Sequence, residues 1–119
     1  MFGLNDHVYI YNIMTIYKIY IYKIFHKDRN IQEIYIGSTN NFSRRKSQHK
    51  KSVTNRRKKS YHRKLYKFIR LMGGWDNFDM EIIEEYECDN DIDAKSREQY
   101  YIDLHKPSLN CQNSYNILI

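Results

Sequence analysis

The sequence predicts a small α/β domain of the α+β kind, a three-stranded antiparallel sheet flanked by helices in the order β-β-α-α-β-α. Three observations predict it. Residues 17–26, YKIYIYKIFH, concentrate β-branched and aromatic side chains, which suit a pleated and packed surface. Further on, Tyr61, Leu65, Phe68 and Met72 recur at steps of four, three and four, the period of an apolar helical stripe. One Pro and four Gly in 119 residues leave no spacer that could divide the chain.

Each element has its own local reason. The first strand, 17–26, runs into the polar turn Lys27-Asp28-Arg29-Asn30, and Ile34–Gly37 returns as a second short strand. The pair reads as an antiparallel hairpin with a longer loop. Asn40 or Asn41 can N-cap a helix from about Phe42 to Lys51, because a short polar side chain accepts from the free N–H groups of a first turn. Residues 52–58 read as a basic loop, and a second helix starts at Ser60. Gly73-Gly74 ends that helix through its freedom at positive φ. Met80–Tyr86 predicts the third strand, with Met80, Ile82 and either Glu84 or Tyr86 on one face. Asn90 or Asp91 caps a last helix to about His105, Asp93 favours its dipole, and Pro107 stops it. Residues 1–16 form an extension with no assigned role, with Met14 as an alternative start, and residues 17–119 form the domain.

Charge is segregated along the chain. Residues 1–40 carry +1, residues 41–70 carry thirteen Lys/Arg and no acid, and residues 71–119 carry −8, for a net +6. A block at +13 repels itself unless a polyanion neutralises it, and Phe42, Tyr61, Tyr66 and Phe68 interleave with its charges. That combination points to nucleic acid as partner, with Arg44, Lys46, Lys50, Lys51, Arg56, Arg57, Lys58, Lys59, Arg63 and Lys64 as the contacting cations. No membrane partner is expected: the apolar-looking stretch Val8–Phe25 is interrupted by tyrosines, Lys18 and Lys23. No secretion signal is recognisable, and Cys88 and Cys111 form no metal-ligand spacing. An intracellular protein, cytoplasmic or nuclear, with free thiols is expected. Nothing in the sequence specifies an oligomeric state.

Four features converge on chemistry. Tyr20 and Tyr22 lie two apart on the first strand and share a face. Tyr35 opens Tyr35-Ile36-Gly37-Ser38-Thr39 at the end of the second strand. Arg45 and His49 are spaced i, i+4 on the first helix and lie one above the other. Glu98 occupies the inward line of the last helix, between Ala94 and the pair Tyr101 and Ile102, where a carboxylate must find a partner or a cation.

In this order and spacing they resemble the GIY-YIG nuclease family. That family's pattern has Gly-Ile-Tyr, then Tyr-Ile-Gly, an Arg ten residues after the second Tyr, often a His four further on, a Glu on a later helix, and an Asn about a dozen residues beyond. This chain has Tyr20-Ile21-Tyr22, Tyr35-Ile36-Gly37, Arg45, His49, Glu98 and Asn110, over roughly residues 18–112. It departs in Tyr20, which stands where the first motif has Gly. The first Tyr role is open between Tyr20 and Tyr22, with Tyr22 preferred because Tyr22-Lys23-Ile24 matches the usual continuation.

The resemblance implies metal-dependent hydrolysis of a DNA phosphodiester by water, with no covalent intermediate. Glu98 would hold Mg²⁺ (or Mn²⁺) through oxygen, with water filling most of the shell. Arg45, permanently charged and fork-shaped, would stabilise the charge on phosphorus. Tyr22 would orient the water. Tyr35, acidified by cations or passing its proton onward, would act as base, with His49 as alternative base or relay. Asn110 would pin the Glu98 end of the site by a hydrogen bond. The rival is a nucleic-acid-binding module that kept the fold without the catalysis.

Overall fold

The computed structural model describes residues 17–110; the extension 1–16, Met14 and Cys111 lie outside the described residues. In chain order these are β1 (Tyr17–His26), β2 (Ile34–Thr39), α1 (Phe42–Thr54), α2 (Lys64–Leu71), β3 (Phe78–Cys88) and α3 (Asp91–His105). Short 3-10 turns occupy Lys59–His62, Trp75–Asn77 and Ser108–Asn110. The order β-β-α-α-β-α and the three-stranded antiparallel sheet are those the sequence predicts.

The strands lie in the order β2-β1-β3, both pairings antiparallel. The apolar run of β1 explains its central place, since Ile19, Ile21, Tyr22 and Ile24 are all buried and a strand buried on both faces needs no alternation. Tyr22 and Ile24 pack with Met80 and Phe78 against Val53 of α1 and Leu65, Tyr66 and Ile69 of α2. Ile19, Ile21, Ile36 and Cys88 pack with Ala94 of α3 on the opposite side. Three layers result, with the sheet in the middle. Ile21, Ile24 and Ile69 are wholly excluded from water, which stabilises the fold by roughly 1.5–3 kcal/mol each.

Three local expectations are corrected. Helix α1 runs on to Thr54, because Ser52 and Val53 turn inward and Val53 reaches the core; the basic loop begins only at Asn55. The second helix is divided. Lys59–His62 form a 3-10 turn, Arg63 is extended (φ −65°, ψ 150°), and α2 starts at Lys64. On β3 the partners of Ile21 and Tyr22 are Glu84 and Ile82, so Ile83 is an extra, bulged residue. The bulge shifts the alternation. Met80 faces the helices α1 and α2, whereas Glu84 and Tyr86 face α3, where Glu84 pairs with Arg97 and Tyr86 donates to Asp93.

The helix ends follow the sequence more closely. Asn41 caps α1 by accepting from the Arg44 N–H, and Asn90 caps α3 by accepting from the Asp93 N–H. Gly73 and Gly74 end α2 at φ +106° and +93°. Among the described residues, no helix is long and apolar enough to cross a membrane.

Arg70 shows what divides α1 from α2. Its guanidinium donates to the carbonyls of Val53 and Tyr61, at 3.0 and 2.6 Å, and lies 3.5 Å over the Tyr61 ring. One cation thus closes the end of α1 and the 3-10 turn together. Arg70→Ala should lower the unfolding free energy by about 2–3 kcal/mol, from two charged hydrogen bonds and one cation–π contact. Urea unfolding measures it. A loss within about 0.5 kcal/mol, that of an ordinary surface change, would make Arg70 one more solvent-facing cation.

Candidate active site

The site begins with a close approach inside the sheet. Tyr22 on β1 stands directly opposite Gly37 on β2. A Cβ at Gly37 would lie 2.6 Å from the Tyr22 Oη and 2.9 Å from Cε2 of Tyr35, so any side chain there would displace both rings. Glycine within a strand is the sequence sign of such an approach. Tyr22, fully buried, is the tyrosine brought to the site; Tyr20, on the same face, stays half-buried opposite Thr39.

Capping by Asn41 sets the phase of α1, and the i, i+4 spacing then stacks Arg45 and His49 toward the sheet. The His49 Nε2 is 2.7 Å from the Tyr22 Oη, and its Nδ1 is 2.7 Å from the Tyr66 Oη. Trp75 stacks on the imidazole at a centroid distance of 6.4 Å. His49 is completely buried, and burial first, then the positive charges of Arg45 and Arg63, lower its pKa to about 3. It is therefore neutral near pH 7 and has no face open to solvent. An alternative base within reach of the attacking water does not match this burial, and both ring nitrogens meet tyrosine hydroxyls.

The tyrosines are not acidified. Burial is the main reason that the Tyr22 and Tyr35 hydroxyls sit above the ordinary tyrosine range, and the opposing pull of the nearby Arg45 is the smaller effect. Of the two routes foreseen for Tyr35, burial works against acidification by cations in the free protein. Arg45 is half-buried beside these hydroxyls, and its Nη1 donates to Gln48 Oε1 at 3.1 Å.

Glu98 approaches β2 from the α3 side. One carboxylate oxygen accepts from the Ser38 hydroxyl at 2.9 Å, and its charge contributes to raising the Tyr35 pKa. Among the described residues, the ion pairs are Lys18–Glu85 and Arg97–Glu84, and neither uses Glu98. No three His, Cys, Asp or Glu side chains converge among the described residues. A half-buried carboxylate without a cationic partner fits a hard divalent ion that keeps most of its water and takes the rest of its ligands from substrate. It does not fit a closed zinc cage.

Asn110 bonds the backbone of β2. Its Oδ1 accepts from the Ile36 N–H and its Nδ2 donates to the Ile36 carbonyl, at 2.8 and 2.7 Å, so it holds the outer edge of β2 beside Tyr35. Arg44, Lys46, Lys50 and Lys51 are exposed on α1, as are Arg56, Arg57, Lys59 and Arg63 beyond it; Lys58 is half-buried. Lys64 instead donates to the Ser108 carbonyl at 2.9 Å and anchors the turn that presents Asn110. Sequence reasoning missed Ser38 and Trp75 as neighbours of the site, and it read Tyr66 only as an aromatic of the basic block. Pairing across strands and between helices brings these side chains in, and no spacing signal announces them.

The class of protein these features define is a small α+β domain in which a cation, phenols and a carboxylate are brought to β2 from β1, α1 and α3. Residues 18–116 match the GIY-YIG catalytic domain, and the chain belongs to this family of nucleases. No curated protein and no solved structure matches it.

The buried state of His49 has a pH signature. Unfolded, it binds a proton near its ordinary value of 6.5; folded, it resists until about 3. Its contribution to stability is complete above about pH 6.5 and is lost as pH falls from there toward 3. One proton's difference is worth about 1.4 kcal/mol per pH unit. His49→Gln should therefore flatten the decline of unfolding free energy between pH 6 and 4 by up to that slope. Parallel curves for the two proteins would contradict a neutral, buried His49.

Proposed function

We propose that the chain is a divalent-cation-dependent endonuclease that hydrolyses DNA phosphodiester bonds by attack of water. The observation that carries this reading is the setting of Arg45. Its half-buried guanidinium lies beside the hydroxyls of Tyr22 and Tyr35 and is flanked along α1 by the exposed cations Arg44 and Lys46. A backbone drawn onto the basic surface would meet Arg45 as its innermost cation. Membership in a nuclease family supports the same reading.

Arg45 binds the scissile phosphate with a fork of donors whose charge is permanent, and stabilises the negative charge that builds on its oxygens. Tyr35, the more accessible phenol, orients the attacking water. Behind it, Tyr22 and His49 form the proton-accepting couple: as Tyr35 takes a proton from the water it gives its own to the Tyr22 oxygen, and Tyr22 gives its hydroxyl proton across 2.7 Å to the neutral Nε2 of His49. No tyrosinate has to exist beforehand. Glu98 would hold Mg²⁺ or Mn²⁺, and the ion would supply charge neutralisation at the phosphate and the leaving 3′-oxygen. A module that only bound nucleic acid would have no use for a carboxylate kept free of cationic partners beside a polyanion.

Supercoiled plasmid, single-stranded and branched DNA, each incubated with Mg²⁺ and with chelator, test the activity directly. Glu98→Gln should abolish cleavage while the fold persists and DNA binding stays at least as tight, since a negative charge leaves the DNA side. Cleavage by this variant at the wild-type rate in Mg²⁺ would remove Glu98 as the ligand.

Arg45 and Arg44 divide two tasks on one helix. Arg45→Ala should reduce the single-turnover rate at saturating DNA by roughly 10²–10³, the usual effect of losing one transition-state stabiliser. Arg44 points about 100° away and is exposed; Arg44→Ala should weaken affinity modestly and leave that rate alone. Equal rate losses in the two variants would contradict this division.

A further inference from the structure

Tyr66 belongs to no motif that marks the site, yet it closes the far end of the His49 contacts. It lies on α2, is 2% exposed, and places its Oη 2.7 Å from the His49 Nδ1. Its ring is part of the core formed by Tyr22, Val53, Leu65 and Ile69, and a phenylalanine would fill that space equally well. Among the described residues, the hydroxyl has one hydrogen-bond partner, and that partner is His49.

The directions of the two hydrogen bonds follow from the groups around them. A neutral imidazole carries one N–H and one lone pair, so one tyrosine donates to it and the other accepts from it. Arg45, which has only donors, bears on the oxygen of Tyr22. An oxygen that turns its lone pairs to the guanidinium has its single proton left for Nε2. With Nε2 accepting, the imidazole hydrogen is on Nδ1 and is donated to the Tyr66 oxygen.

We propose that Tyr66 is a positioning residue that holds His49 in its Nδ1–H tautomer and so keeps the Nε2 lone pair aimed at the Tyr22 hydroxyl. The inference rests on the proposed role of Tyr22 and His49 in accepting the proton of the attacking water. When that proton arrives at Nε2, the imidazolium retains the Tyr66 oxygen as acceptor on its other side. A phenol is a weaker partner for a cation than a carboxylate is, which suits a group that must release the proton again after each turnover.

The test uses the full chain and reads two quantities. Ring ¹⁵N shifts separate the two tautomers, with the His49 signals assigned by their loss in His49→Gln. Wild type should show a protonated Nδ1 and an unprotonated Nε2, and this needs no Tyr66 variant to fold. In Tyr66→Phe the population should move toward Nε2–H. Single-turnover cleavage of supercoiled plasmid in Mg²⁺ should fall roughly 10–100-fold, less than the full worth of a general base. DNA affinity, measured in a Glu98→Gln background, should stay within about twofold. Wild-type His49 protonated on Nε2, or Tyr66→Phe with tautomer and rate unchanged, would overturn the proposal. The nuclease reading fails separately: a wild type that holds the Nδ1–H tautomer and cuts none of the DNA forms keeps the positioning and refutes the reaction. A wild type that cuts in a Glu98-dependent way with Nε2 protonated does the reverse.

Discussion

Two hydrogen bonds, one on each nitrogen of His49, join the central strand to both helices on that face of the sheet. The chain Tyr22–His49–Tyr66 runs from β1 through α1 to α2 with every member buried. In a low-dielectric interior such a network is favourable when complete and costly when one partner is missing. Among the described residues, no buried side-chain nitrogen or oxygen lacks a partner. The remaining geometry depends on this contact. Gly37 has to be bare so that the Tyr22 ring can reach His49, and Arg45 stands over the tyrosines because it precedes His49 by one helical turn.

Much of the fold was legible in the sequence, because its signals are local. The β-branched run at 17–26, the asparagine caps and the Gly73-Gly74 stop each act on neighbouring residues, and those elements lie close to their predicted places. The departures have tertiary causes. Val53 lengthens α1 by finding the core, Arg70 binds two carbonyls that a continuous helix would have used internally, and the extra residue Ile83 exchanges the faces of β3. Each depends on a partner distant in the chain, which a periodic pattern does not encode. The candidate site divides in the same way. Arg45 and His49 meet because of helical spacing, whereas the Tyr66 contact and the Asn110 bridge to Ile36 span 17 and 74 residues and leave no trace in spacing.

The thirteen cations of residues 41–70 are not equivalent. Arg70 and Lys64 serve the scaffold by binding backbone carbonyls, and Arg45 and Arg63 bear on His49. The remaining nine include exposed residues along α1 and the turn after it. The acids of β3 and α3 belong to the other end of the chain, where Glu84 holds Arg97 and Asp93 accepts from Tyr86. Glu98 is the acid of α3 that comes to β2 instead, where it accepts from Ser38.

The bridge from Asn110 to Ile36 has another effect. Ile36 turns its N–H and carbonyl away from β1, and the amide of Asn110 binds both of them, as a neighbouring strand would. On the far side of the sheet, β3 interrupts its own ladder with the Ile83 bulge and carries the exposed acids Glu81, Glu85 and Glu87. A passing extended peptide thus finds the first margin bridged at Ile36 and the second both kinked and negatively charged. Among its described residues the sheet resists the addition of a fourth strand from outside, and so resists the edge-to-edge stacking that begins aggregation.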